Sequence, residues 1–118
     1  MKDPLDTQTI DMFDQEGETM SKYLEALVIK WAEDKGIMKH ADKLSQFSKT
    51  QEEVEELYEA IANNDVDEAK DAIGDVIVTL IIQAEMWNLS ATDCLAHAYG
   101  VISQRTGKME NGVFVKDE

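Results

Sequence analysis

Between Asp67 and Leu89 one pattern continues for about 22 residues, and its centre, Val76-Ile77-Val78-Thr79-Leu80-Ile81-Ile82, is apolar but for one threonine. The β-branched content of that run would suit a buried strand. However, Glu68-Ala69-Lys70 before it and Gln83-Ala84-Glu85-Met86 after it are good helix formers with no turn signal between, and the whole outruns most strands. The segment therefore predicts a helix that is apolar nearly all round, and such a helix must be buried on nearly all sides. Three further helices of similar length can hardly enclose it, so the sequence predicts a homodimer or homotetramer closed over this surface.

The rest of the chain predicts more helix. The only proline is Pro4, and the interior is poor in strand-and-turn punctuation. From Met20 to Lys35, Tyr23, Leu24, Leu27, Val28, Trp31 and Ala32 recur at steps of three and four until Gly36. A second amphipathic segment runs from Ala41 to Asn63, carrying Leu44, Phe47, Val54, Leu57, Tyr58 and Ile61, with Ser48 to Thr50 as its weakest point. Asn63-Asn64-Asp65 makes a polar turn, and Asp65 with Glu68 has capping-box spacing for the third helix. A fourth begins at Ser90, with Asp93 at the matching position, and runs through Leu95, Ala98, Tyr99 and Ile102 to Gly107. In the tail, Asn111-Gly112 before Val113-Phe114-Val115 reads as a tight turn within a short hairpin. The expected class is all-α, a four-helix bundle with an extended tail.

At 118 residues the chain has the size of one domain, 1–118, divided here into a core at 20–107, an N-terminal extension at 1–19 and a tail at 108–118. Hydrophobic residues at 43% and charged residues at 31% are the balance of a globular protein. The net charge of −14 would repel a phosphate backbone, which argues against a nucleic-acid partner. One cysteine, Cys94, permits no intramolecular disulfide and is read as a small core residue; a reducing cytoplasm is the expected setting. The first residues, MKDPLDTQTIDMFDQ, have acids where a signal peptide would be basic and then apolar, and no run is long enough to span a membrane.

The acidic residues are not spread evenly. Glu52-Glu53-Val54-Glu55-Glu56 lies on the second helix, where Glu53 and Glu56 project from one face. The third helix adds Glu68, Asp71 and Asp75 at steps of three and four. Two antiparallel helices joined by a short turn pack side by side, so the two acidic faces can meet, and hard oxygen ligands suit Mg²⁺ or Mn²⁺. Acid-rich helix faces are commonly just solvated. Here, though, Asp75 directly precedes the apolar run, and no basic residue between Lys49 and Lys70 relieves the repulsion among the four glutamates. A bound cation would remove that cost.

These motifs resemble the MazG-like family of all-α nucleotide pyrophosphohydrolases, whose signature is EExxE, a spacer, then ExxD. Glu52 to Glu56 fits the first half, and Lys70-Asp71-Ala72-Ile73-Gly74-Asp75 is similar to the KDAIGD stretch of small, often phage-encoded members. Tyr99 to Lys108 and Asn111 to Lys116 also look like that subgroup, so the likeness covers residues 20 to 116. It implies Glu53, Glu56 and Asp75 as catalytic metal ligands for Mg²⁺, and a nucleoside triphosphate cut to the monophosphate and pyrophosphate. Where the pattern has Glu three residues before the Asp, this chain has Ala72, so Asp71 is the expected substitute. The literal ExxD at Glu68 and Asp71, one turn earlier, ranks second, as does Glu52. Gly100 stands where an Asn often follows the tyrosine.

Trp31 is a candidate for stacking on the base, and Arg105 and Lys108 for the triphosphate at the end of the fourth helix. His40 and His97 are isolated and receive no role. Phage-type likeness points to deoxynucleotides, purines first. The alternative is a non-catalytic helical oligomer of the same fold that presents its acidic face to a basic partner; Ala72 favours it, and Glu53, Glu56 and Asp75 oppose it.

Overall fold

In the computed structural model, residues 20–118 are described; the expected extension at 1–19 lies outside them. Five helices and one hairpin follow in order: α1 (Met20–Asp34), α2 (Ile37–His40), α3 (Lys43–Ala62), α4 (Val66–Met86), α5 (Ala91–Ile102), β1 (Gly107–Glu110) and β2 (Val113–Lys116). The four long helices are those expected. The single turn α2 was not, and it follows Gly36, whose φ of 81° ends α1 in the left-handed region.

The centre of the fold is the antiparallel pair α3 and α4. Helix α3 starts at a reciprocal cap in which the Ser45 backbone N–H donates to Asp42 Oδ1 at 2.7 Å and the Asp42 N–H reaches Ser45 Oγ at 3.0 Å. It does not break at Ser48 to Thr50. The Ser48 hydroxyl instead donates back to the Leu44 carbonyl, and that of Thr50, which also lies 3.2 Å from the Gln46 carbonyl, donates across to Thr79 Oγ1, so neither competes for the helix's own amides.

Two helices end on asparagine in a position glycine usually takes. After α3, Asn64 has φ 51°, the Asp65 N–H donates to the Ala60 carbonyl and the Asn64 N–H to that of Ile61. After α4, Asn88 has φ 58°, with Leu89 bonded to Ala84 and Asn88 to Glu85. This Schellman pattern stops α4 at Met86, three residues short of the expected Leu89. Asp65 then opens α4 by accepting from the Glu68 N–H at 3.1 Å, as its spacing predicts.

A polar seam joins the pair at mid-length. The buried Gln46 side chain donates to the Thr79 carbonyl at 3.1 Å, and the Thr50 hydroxyl lies 2.9 Å from that of Thr79, which itself bonds the Val76 carbonyl. Thr79 is thus the one polar side chain of the apolar run because it faces a polar partner. Buried alanines at positions 60 and 72 leave room for the two helices to approach.

Beyond this pair, enclosure is incomplete. Ile81 and Ile82 are buried, but Ile73, Ile77 and Leu80 are each about half exposed, as are Phe47 and Val54 of α3. Helix α5 has no buried residue, so Cys94, expected in the core, is exposed. That helix also ends earlier than expected, at Ile102. Gly107 belongs instead to β1, where a Cβ would strike the carbonyl oxygen of Val115, a reason for glycine at this place. Asn111 and Gly112, with φ of 49° and 83°, turn the hairpin as expected and pair Met109 with Phe114. Among the described residues no single helix is long and apolar enough to cross a membrane.

Candidate metal centre

The turn at Asn63 to Asp65 folds the second acidic motif back along the first. One carboxylate oxygen each from Glu53, Glu56 and Asp75 comes within 4.8 Å of the others. These three residues would be the ones to hold a divalent cation, and sharing one Mg²⁺ at about 2.1 Å from each oxygen would require the side chains to draw closer together.

The electrostatics are those of an under-neutralised centre. Glu53 is buried, and Lys49, one turn before it, places its ammonium 3.4 Å from Oε1. The same ammonium reaches Glu52 at 3.6 Å. Lys49 thus supplies part of the relief that the sequence analysis assigned to a cation alone, and its own pKa is raised by Glu53 first and Glu52 next. The other oxygen, Oε2 of Glu53, is buried and, with the neighbouring carboxylates ionised, has no hydrogen-bond donor among the described residues. Next to it the Glu56 carboxyl is pushed above the usual glutamate range, by the hydrogen bond and charge of Glu53, then by desolvation and by Asp75. A buried oxygen lacking a donor among the described residues, beside two further carboxylates of which Glu56 is held above its usual pKa, fits a hard divalent cation.

The other expected ligands stand apart from this trio. Asp71 is exposed on α4, one turn before Asp75, and is not in the converging group. Glu52 turns to Lys49. Glu68 lines a shallow recess with Glu56, Glu59, Asn63 and Asp65 at the turn end of the pair. Ala72, at the position where the signature has Glu, is buried.

Beside the trio, on the α1 side, lies a cleft of about 340 Å³ lined by Leu24, Leu27, Val28, Trp31, Val78 and Asp75. Asp75 therefore belongs both to the carboxylate centre and to an apolar cleft, and Trp31 lines the latter. Arg105 and Lys108 are placed differently from the expectation. With α5 ending at Ile102, Arg105 lies in the link to the hairpin, and Lys108 on β1 pairs with Glu110 at 3.4 Å.

One residue of consequence was missed. Glu25 of α1 is buried, and its carboxylate accepts from the Ala91 N–H at 2.8 Å, the Thr92 N–H at 3.4 Å and the Thr92 hydroxyl at 2.6 Å. Burial alone would raise its pKa; the hydroxyls of Thr92 and Ser90 and the two amides outweigh it and hold the pKa below the ordinary value. The available signal was its register: Glu25 stands in the same stripe as Val28, Ile29 and Ala32, an acid where a core residue was due.

A helical hairpin whose facing carboxylates converge next to an apolar cleft defines an all-α protein of the acidic-centre type. Residues 42–109, more than half of the chain, match the family described as MazG nucleotide pyrophosphohydrolase domain, and the chain belongs to that family. It is also 39% identical over 56 residues to an uncharacterized 18.2 kDa protein in the rep-hol intergenic region of Haemophilus phage HP1. That match takes in 48% of this chain and 34% of the phage protein, so the two correspond over about a third of the latter's length. No solved structure matches.

Proposed function

We propose that this protein hydrolyses a nucleoside triphosphate, a deoxynucleotide by preference, to the monophosphate and pyrophosphate. The observation that carries the reading is the convergence of Glu53, Glu56 and Asp75 around a buried oxygen with no donor among the described residues, at the edge of the Trp31 cleft.

In this reading Glu53, Glu56 and Asp75 would hold Mg²⁺ or Mn²⁺, with Asp71, one turn out on α4, as the further expected ligand. When bound, the ion neutralises phosphate oxygens and acidifies the attacking water. The chain's own residues do the remainder. Lys49 holds Glu53 in place through Oε1. The cleft receives the base, with Trp31 offering an aromatic face and its aliphatic walls excluding water. The triphosphate then lies across Asp75, between cleft and carboxylates, and the anionic protein depends on the cation to admit it. Arg105 and Lys108 reach the phosphates only if the link after α5 brings them over, and rank behind Trp31.

The exposed Ile73, Ile77 and Leu80 of α4 support a homodimer or homotetramer. A soluble cytoplasmic setting, away from nucleic acid and membranes, suits a nucleotide-pool enzyme.

Buried Ala72 supports a second reading, a non-catalytic relative that keeps the fold. Pyrophosphate release measured across the eight common ribo- and deoxyribonucleoside triphosphates with Mg²⁺, purines first, separates the two. Turnover of at least one supports the enzyme, and none on any of them with divalent ion present would leave the second reading.

A further inference from the structure

We propose that Glu25 is a positioning residue for the cleft: by gripping the first turn of α5 it fixes the roll of α1, and with it the wall that carries Trp31. The inference deepens the reading above and rests on it for the nature of the ligand.

The first amides of a helix have no partner within it. At the start of α5 the Ser90 side chain serves the Asp93 N–H, and Glu25, from a helix 66 positions earlier, serves those of Ala91 and Thr92. A carboxylate there is favoured by the helix dipole as well. Beside it, Lys22 Nζ lies 3.5 Å from Asp93, a second tie between the same two elements. Leu24, Leu27, Val28 and Trp31 stand within two turns of Glu25 on α1, and all four line the cleft. Any roll of α1 that loosens the Glu25 contacts must therefore reshape that wall.

The carboxylate trio is held by other means. Glu53, Glu56 and Asp75 sit on α3 and α4, joined by the Asn64 turn and by the Gln46, Thr50 and Thr79 seam. A lesion at Glu25 should consequently separate the two halves of the site, altering the cleft and sparing the metal.

The test is Glu25→Gln in the full chain, which keeps the shape but surrenders one acceptor and the charge. KM for the best nucleotide of the screen should rise about fivefold or more with kcat within about twofold, the signature of lost uniform binding. The Mn²⁺-induced rise in Tm should persist. Emission of Trp31, recorded in a Trp87→Phe background without nucleotide, should shift to the red. A lower Tm with unchanged KM and unchanged Trp31 emission would make Glu25 a stability element and overturn the proposal. Should the unsubstituted chain hydrolyse no nucleotide, the functional reading fails separately, and Trp31 emission alone decides for or against positioning. If Glu25→Gln does not fold, Thr92→Val, which removes only the 2.6 Å hydroxyl contact, takes its place under the same criteria, with about a twofold rise in KM expected.

Discussion

Lys49 and Glu53 stand one turn apart on α3 with the ammonium 3.4 Å from Oε1, and this pairing neutralises one oxygen of a buried carboxylate while the other has no donor among the described residues. A single positive charge thus serves a site that gathers three negative ones. A divalent ion bound only by the folded state must then raise its stability. At an ion concentration about 100 times Kd the gain is about 2.7 kcal/mol, or a rise in Tm of about 10 °C for a chain of this size. Thermal unfolding with and without Mg²⁺ or Mn²⁺ reads this directly, and Glu53→Gln should abolish the rise.

Asp71 and Asp75 of α4 should differ in degree. Asp75→Asn removes a member of the converging trio and is expected to cost at least about 100-fold in metal affinity and turnover, whereas Asp71→Asn, outside that trio, should cost about tenfold. Glu59→Gln serves as the control and should change little. Equal losses at both positions would promote Asp71 to a direct ligand; no effect at Asp71 together with a large loss in Glu68→Gln would move the centre one turn along α4.

Ala72→Glu probes the departure from the family signature. The position is buried, so a longer side chain should cost about 1–3 kcal/mol in the metal-free protein. With Mn²⁺ present the new carboxylate should recover that loss and tighten binding. A denaturant titration with and without the ion shows the crossover, and a variant equally weakened in both conditions would place residue 72 outside the reach of the metal.

Acid should act through Glu25. Its pKa is lowered in the folded state, so the stability it contributes is fully present above the unfolded value of 4.5 and is lost as pH falls through the lower folded value. Glu56 has the opposite sign: its pKa is raised, and it favours folding at low pH and opposes it once the pH passes that raised value. Denaturation midpoints of the metal-free protein from about pH 3 to pH 7 should therefore fall less steeply with acid in Glu25→Gln than in the parent.

Association should involve α4. The half-exposed Ile77 and Leu80 predict a dimer or tetramer at micromolar concentration, with an interface of at least about 1,200 Å². Light scattering should show Ile77→Asp shifted towards monomer, and a monomeric parent would refute the assignment.

The meeting of the two acidic faces was legible in the sequence because its geometry is local, while spacing left Glu68, Asp71 and Asp75 open on α4 and the family resemblance singled out Asp75. Glu53 and Glu56 share a helix face by spacing alone, and a three-residue polar turn forces Asp75's helix back beside them. The hairpin tail was legible too, since Asn111-Gly112 takes the two positive φ values its turn requires. Helix ends were harder to read. Asn88 ends α4 by entering the left-handed region, while the residues around it, Trp87 and Leu89, continue the apolar pattern that predicted more helix. Glu25 could not be matched to its partners because its acceptor role depends on two amides that any sequence would supply, brought to it by tertiary packing. Lys49 was in plain view, yet counting charges between residues overlooked the reach of its own side chain to the next turn.

The Asn64 turn has a consequence for how the molecule assembles. Glu53 and Asp75 are separated by a loop of only about 20 residues, so closing it costs little chain entropy, and contacts so near in sequence form early in folding. The acidic hairpin should be a cooperative unit that exists before α1 and α5 settle against it. On this view a nascent chain can capture its ion while the walls of the cleft are still unformed, and the order of events on refolding runs from ion to pocket.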